Sequence, residues 1–574
     1  MLESGLTERD SQERYNSKTP ASIPNVVAQR VAAQAGVVSP RGLRFAARLP
    51  SVLWLALLLA SVFAGARRLV SERAACLATS ACALDPNLVA HASLVTVDAL
   101  YALATLLTLL AALAFASGPT KHRAALLGLA LGLALATKFS AFLLLLGLVF
   151  LPLDRREPKR LAAYGALAAA VAAAVVLLAY LGHGGAFVEG LRRSLGSERG
   201  WGPVVLLGQA HPDGIFYYFA VLWALKTPVL LLLAQAAGLF LLARSGRLLR
   251  EPALRFLALN VLLAFLYFSL LFKTQIGYRF VLMLIPIAWI LAAAGLEPLR
   301  GRGAAALFAL TLVVSVAENA AYLGNPLAFT NALVQPKRQA FRLLADSNID
   351  WGQNRDKVPD WLAAHGIRAS RLDPVHLLAG PNVFSVNVVA GVFDFEQHRF
   401  LRAHAQPLEH WGHTYLRFDI ENESFERFMD EERRVAPGAE ARALCPEDLP
   451  YETKPPGGQR SFLRETPPEP DVIWVACVKA ERGVDLGLRM GEGRLRFGRF
   501  TADRRCEATL LQDEQVVWWR LMPGTHALCA VEIPNRRAFL PYRVEATLIV
   551  RGQAAALSVR PLASDASGRV VPTP

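Results

Sequence analysis

From Leu49 to Leu323 the chain is a succession of Leu, Ala and Val blocks separated by short polar connections. A water-soluble fold cannot hide that much apolar side chain while keeping a polar surface, whereas a bilayer requires it, at about 20 mostly apolar residues per spanning helix. Over all 574 residues the chain is 53% hydrophobic and only 19% charged, with a mean hydropathy of +0.32. Soluble domains carry about 25% charged residues. Disorder, collagen and a small disulfide scaffold are excluded. Gly324 to Pro574, by contrast, has the composition of ordinary soluble protein. The pattern predicts a mainly α, polytopic helical membrane domain followed by a non-cytoplasmic α/β and β-rich C-terminal region.

Ten apolar stretches are candidate spans: 49–66, 74–92, 97–117, 123–137, 139–153, 161–182, 215–243, 253–272, 280–297 and 303–322. Every second connection is short and basic, carrying Arg67, Arg68 and Arg73; Lys121 and Arg123; Arg155, Arg156, Lys159 and Arg160; Arg244, Arg247, Arg250 and Arg255; and Arg300 and Arg302. By the positive-inside rule these loops are cytoplasmic, so both termini are expected outside. The formal net charge of +14 is therefore in part a topology signal, and it comes with no basic–aromatic nucleic-acid motif.

The domain reading that follows is 1–48 as an outer N-terminal loop, 49–323 as the membrane domain and 324–434 as an α/β segment. Residues 435–470, polar and rich in Pro and Gly, read as a linker, and 471–574 as a β-sandwich-like module. Residues 338–365 are expected to be helical, and 383–392 and 414–420 to be strands. Cys76 and Cys82 lie in a span and read as buried thiols. Cys445, Cys477, Cys506 and Cys529 fall in the outward region, where one or two disulfides are expected, with three pairings open. His398, His404, His410 and His413 form a local group that reads as packing or surface histidines, and no Cys spacing matches a zinc site.

Charge at membrane depth is costly and usually functional. Asp98, Lys138, Lys226, Lys273 and Arg279 all fall at the non-cytoplasmic ends of their spans. A transporter needs polar groups near the midplane with access from both sides, whereas one acid and four bases at a single interface suit chemistry on a lipid headgroup. Lys and Arg would bind a phosphate and stabilise it as a leaving group, while a carboxylate would hold a divalent metal or act as general base. Taken singly, a Lys near a helix end is often a snorkelling residue, and Asp98 could simply cap the helix beginning near Ala99.

Five stretches in order, LDPNLVAHASLVTVDAL, LALGLALATKFSAFLLL, FYYFAVLWALKTP, KTQIGYRFVLMLIP and DSNIDWGQ, resemble the lipid-carrier-dependent glycosyltransferases of the GT-C type. These are relatives of the family 39 protein O-mannosyltransferases and of the lipid A aminoarabinose transferase, and the likeness covers roughly residues 12–420. It implies a multi-pass protein of the bacterial inner membrane with a periplasmic C-terminal domain. It also implies transfer of a sugar from a polyprenyl-phosphate donor to an unidentified hydroxyl acceptor at the outer face, with inversion. By position, Asp98 and the nearby His91 resemble catalytic residues. Lys226, Lys273 and Arg279, with Lys138, resemble ligands of the donor phosphate, and Tyr278 a phosphate-side tyrosine. Asp350 and Trp351 match a recurring stretch, and if a divalent metal takes part, Asp98 is its candidate ligand.

The family carries its principal carboxylate in an acidic pair soon after a first transmembrane helix. That helix and that pair are missing from the sequence, and Glu8, Asp10 and Glu13 are acids near its start. The expectation is of a sequence shortened at its N-terminus, since residues 1–48 carry Arg9, Arg14, Lys18, Arg30 and Arg41 and no export signal. A catalytically inactive relative and a flippase for a lipid-linked substrate are the alternatives.

Overall fold

The computed structural model describes residues 19–153, 157–196, 203–464, 472–492, 494–512, 514–532, 544–564 and 569–570. The chain forms two compact units, Met1–Trp351 and Gly352–Pro574, so the boundary falls after residue 351 rather than at 323.

The first unit opens with helices α1 (Thr19–Gln34) and α2 (Pro40–Leu69). Ser39 caps α2 by accepting a hydrogen bond from the Gly42 N–H, and Pro40 occupies the first turn, where a missing N–H costs nothing. Asn25 ties the two helices together by donating to the Ala47 carbonyl and the Ser51 hydroxyl at 2.7 and 3.0 Å. From Thr19 onward, then, the stretch read as an outer loop is helical, because start signals rather than polarity decide where a helix begins. Glu8, Asp10 and Glu13 lie outside the described residues.

The expected span 74–92 is broken. It forms α3 (Glu72–Ala83) and α4 (Pro86–Ala92), since Pro86 cannot continue α3 and Asp85 caps α4 through the Asn87 and Leu88 N–H groups. Next come α5 (Asp98–Ala116), α6 (Lys121–Thr137) and a segmented helical stretch from Phe139 to Phe150 that contains α7 (Phe142–Gly147). Helices α8 (Pro158–Ala179) and α9 (Gly184–Gly196) lead to a small hairpin, β1 (Val204–Leu206) with β2 (Gln209–His211). The expected span 215–243 is also two helices, α10 (Tyr218–Lys226) and α11 (Val229–Arg244), split at Pro228. After α12 (Arg247–Arg250) follow α13 (Pro252–Leu266), which a wider π turn extends to Leu271, α14 (Leu284–Leu296) and α15 (Arg302–Ala320).

Five of these helical segments are long and apolar enough to cross a membrane: α2, α5, α8, Pro252–Leu271 and α15. Phe139–Phe150, α11 and α14 are shorter apolar helices, so the described residues do not form ten uninterrupted spans. Helix α14 is the packed centre, buried from Leu284 to Gly295. It meets α11 backbone to backbone, and a Cβ on Gly295 would lie 1.8 Å from the Gly238 carbonyl oxygen. Only 17% and 11% of the apolar windows of α8 and α15 are buried, which leaves their Leu and Val side chains facing outward as lipid contact requires. The protein is a multi-pass membrane protein.

The second unit begins with α16 (Val358–Ala364). Most of the helix expected over 338–365 is instead single turns, Lys337–Arg342 and Asp346–Asn348, which belong to the first unit. Strands β3 (Gly380–Ser385), β4 (Glu409–Trp411) and β5 (Tyr415–Ile420) form an antiparallel sheet in the order β3-β5-β4. The strand expected over 383–392 turns at Ser385 into α17 (Val386–Ala390). Ser385 caps that helix, and Gly391 ends it with a φ of +81° that favours glycine. Helices α18 (Arg399–His404) and α19 (Asn422–Glu432) complete this part.

Residues 435–464 of the region read as a linker are structured and belong with the sandwich. They supply β6 (Arg434–Val435), α20 (Ala439–Leu444), β7 (Glu452–Lys454) and β8 (Gln459–Arg464). These join β9 (Val472–Ala480), β10 (Val484–Glu492), β11 (Arg494–Phe500), β12 (Cys506–Gln512), β13 (Val516–Leu521), β14 (Gly524–Glu532), β15 (Val544–Arg551) and β16 (Ala555–Ala563). One sheet runs β6-β13-β10-β15-β8 and the other β12-β11-β14-β9-β16-β7. Alternate residues such as Val484, Leu486, Leu488 and Met490 of β10 and Val544, Ala546, Leu548 and Val550 of β15 share one apolar core with Leu495 and Phe497 of β11. Sequence polarity misleads at 435–470 because its strands lie at sheet edges, where few positions are buried. Of the three open pairings the fold selects Cys445–Cys477 and Cys506–Cys529.

Candidate active site

Asp98 is the first residue of α5, yet it makes no cap: the helix has no side-chain cap hydrogen bond. Its carboxylate is buried and turned sideways. The Lys138 ammonium, just past the end of α6, donates to Oδ1 at 2.9 Å, and His91 Nδ1, near the end of α4, lies 3.5 Å from Oδ2. Helices α5 and α6 are consecutive and antiparallel, so the Asp98–Lys138 end is opposite to the one bearing Lys121 and Arg123. The second cation is Arg279, on the single turn Tyr278–Phe280 between α13 and α14. Its guanidinium lies 4.4 Å over the Trp351 ring and 5.2 Å from the Phe280 ring. The side chain is nine-tenths buried, and its Nε has no hydrogen-bond partner. Lys138 lies 4.8 Å from the same Phe280 ring, and Trp351 meets His91 edge-on at 6.1 Å. His91, Asp98, Lys138, Arg279 and Trp351 therefore form one cluster.

Lys226 does not belong to it. It is buried at the end of α10, and its three ammonium protons go to the carbonyls of Leu327, Phe329 and Asn348 at 2.8, 3.1 and 2.5 Å. An ammonium has three donors and no more, so nothing is left for a phosphate. The expected ligand is instead the pin that fastens the 326–349 loop. Tyr278 is also buried away from the cluster, edge-on to Trp223 at 5.8 Å. Lys273 is exposed and makes none of the cluster's contacts.

The DSNIDWGQ stretch has a clear mechanical part. Ser347 donates to the Ile276 carbonyl. Asn348 accepts from the Tyr278 N–H at 2.9 Å and donates to the Tyr218 hydroxyl at 2.9 Å. Gly277 is required at this seam, since a Cβ there would come 2.2 Å from Ser347 Oγ. Asp346 sits beside Arg279 with its pKa raised to about 6 by burial, against the lowering pull of the Ser347 N–H and of Arg279. Asp350 is buried. Asn87 was missed in the sequence although it stands in a quoted motif. It ties α4 to the end of α10 by donating to the Lys226 carbonyl at 2.8 Å.

A divalent metal does not fit the residues present. It would have to displace Lys138 from Asp98, and among the described residues no group of three or more His, Cys, Asp or Glu is placed to hold one. In the second unit His398 packs 4.9 Å from Phe384, His404 4.7 Å from Phe400, and His410 stacks on His413 at 4.4 Å.

Residues 41–181 match the family model described as dolichyl-phosphate-mannose-protein mannosyltransferase, which bears out the recognised resemblance to lipid-carrier-dependent GT-C glycosyltransferases over that stretch. His91, Asp98 and Lys138 lie within it. No curated protein sequence matches the chain. Among solved structures, the chain is similar to ArnT from Cupriavidus metallidurans in the apo state, with 19% identity and a TM-score of 0.39 over 55% of this chain and 56% of that one. The same protein bound to undecaprenyl phosphate gives 18% identity and a TM-score of 0.38, over 56% and 57%. The archaeal oligosaccharyltransferase AglB from Archaeoglobus fulgidus gives 10% identity and a TM-score of 0.41, over 95% and 88%. The chain thus spans little more than half the length of ArnT.

Proposed function

We propose that the chain moves a sugar from a polyprenyl-phosphate donor to a hydroxyl acceptor, with inversion, at the outer face of a bacterial inner membrane and with the second unit in the periplasm. The observation that carries this reading is the cluster itself, in which the buried Asp98 carboxylate pairs with Lys138 and the neighbouring Arg279 keeps an unpaired Nε–H. The family match over residues 41–181 supports the lipid-phosphate donor. The placement of Asp98 and Lys138 at the end opposite the basic loops supports the outer face.

In this reading the acceptor oxygen attacks the anomeric carbon while the bond from that carbon to the phosphate oxygen breaks. The polyprenyl phosphate leaves with the electron pair, and the attack from the opposite side inverts the centre. Arg279 and Lys138 bind the phosphate and stabilise the charge that develops on it. Within the cluster only Asp98 and His91 can take the acceptor proton, and Asp98 holds Lys138 in place.

Turnover of a labelled polyprenyl-phosphate sugar by the full chain in nanodiscs tests this reading. Release of polyprenyl phosphate that depends on Asp98 and Arg279 is the expected result. Movement of the intact donor across vesicles would indicate a flippase. Donor binding with no bond cleavage would indicate an inactive relative.

A further inference from the structure

Trp351 touches both halves of the cluster. The guanidinium of Arg279 lies 4.4 Å over its ring, and the His91 ring stands edge-on to it with the ring centres 6.1 Å apart. It follows directly on the loop that Ser347 and Asn348 stitch to the turn bearing Arg279. A buried guanidinium is ordinarily held by a carboxylate, which neutralises it and occupies its N–H groups. An aromatic face holds it differently. The ring quadrupole attracts the cation, but the contact is made to the π surface of the guanidinium and leaves the N–H groups in its plane free. The unpartnered Nε of Arg279 agrees with this arrangement.

We propose that Trp351 is a positioning residue that holds the Arg279 guanidinium by its face and so keeps the Nε–H unpaired and aimed at the donor phosphate. The inference rests on the reading of Arg279 as a donor-phosphate ligand. It gives the DSNIDWGQ stretch a part in donor binding, in which Ser347 and Asn348 set the loop and Trp351 aims the cation. Because the ring acts through its π face and not through bulk, phenylalanine should partly replace it, whereas leucine, which fills similar space, should not.

Binding of undecaprenyl phosphate to the purified full chain in detergent, with thermal unfolding followed in parallel, tests the proposal. Trp351→Phe should bind within about threefold of the unsubstituted protein. Trp351→Leu should lose about fivefold or more at an unchanged melting temperature, a size within the range of cation–π contacts. Arg279→Ala should lose about tenfold or more, and the double variant Trp351→Leu/Arg279→Ala should bind no worse than Arg279→Ala alone, because the ring has nothing left to aim. Equal effects of Phe and Leu, or losses that simply add in the double variant, overturn the positioning role while leaving Arg279 as a ligand. Unimpaired binding by Arg279→Ala overturns the phosphate assignment itself, and the positioning role with it.

Discussion

In the first unit many apolar side chains face outward and a few charges lie inside; in the second, large apolar side chains are almost all inside. Leu178, Phe240, Leu307 and Val313 are each more than 60% exposed on the membrane helices, whereas Asp98 is buried. In the second unit only Phe393, Leu408 and Leu510 are exposed large apolar side chains among the described residues, and the sandwich core is almost purely aliphatic and aromatic. Both units nevertheless bury a carboxylate. Asp485 is held by a two-pronged contact from Arg520 at 2.9 and 3.1 Å, and Arg520 also reaches Glu426 and Asp430 of α19. That network is satisfied on every side and holds a helix to a sheet. The membrane cluster is not: Arg279 rests on an indole with an N–H to spare. The difference teaches that burial of charge alone does not mark a site; what sets the membrane cluster apart is a buried carboxylate, a lysine and an unpaired Arg279 Nε–H gathered in one place.

The comparison is broken most severely by Lys138→Ala. It strands the Asp98 carboxylate inside the helical unit, for an expected cost of about 3–5 kcal/mol and loss of donor turnover. A melting temperature unchanged from the parent would show that Asp98 is solvated there and not buried. In the second unit the matching insult is loss of a disulfide. Cys445 and Cys477 are 32 residues apart and Cys506 and Cys529 are 23, so removing either pair should lower stability by about 3 kcal/mol through loop entropy. Thiol labelling of the unreduced, denatured protein should find Cys76 and Cys82 only; six reactive thiols would refute both bridges.

A smaller effect is expected from acid. Burial, helped by Arg402 and opposed by Asp394, lowers the His398 pKa from 6.5 to about 4. The unfolded chain therefore binds a proton that the folded chain excludes as pH falls below 6.5, so stability is complete above that value and declines below it. Between pH 7.5 and 5 His398 should contribute a loss of about 2 kcal/mol, and His398→Phe should reduce the slope in chemical denaturation of the second unit by that share, the buried His376 and His526 keeping the rest. An unaltered slope would mean that other groups carry the acid response. Least of all should follow from Glu431→Ala, whose exposed pair with Arg427 at 2.6 Å should contribute less than about 1 kcal/mol. A larger loss would erase the contrast between paired charges on the surface and unpaired charges in the interior.

Much of this was readable along the chain. The apolar blocks disclosed a membrane unit, the alternation in VEATLIV and GRLRFGRF became β15 and β11, and four cysteines became two bridges. Polarity was the poorer guide where local signals or edges intervened. Pro86 and Pro228 split two expected spans, Ser385 and Gly391 turned an expected strand into a helix, and the edge strands β7 and β8 passed for a linker. Of the residues singled out by charge at membrane depth and by resemblance, the fold brings Asp98, His91, Lys138 and Arg279 together and places Lys226 and Tyr278 elsewhere.

By itself the sequence determined that the chain inserts in a bilayer, that its two parts meet different surroundings, and which charges sit at membrane depth. Those properties are sums over short windows, because transfer of side chains between water and lipid depends on composition and period and hardly on distant partners. Only the tertiary structure decided what each charge does. Lys226 and Lys138 are both lysines near helix ends. One meets three carbonyls from residues 101 to 122 positions further along, and the other meets a carboxylate 40 positions back. An ammonium takes its role from whichever acceptors converge on it, and that convergence exists only once loops far apart in the chain have closed around it.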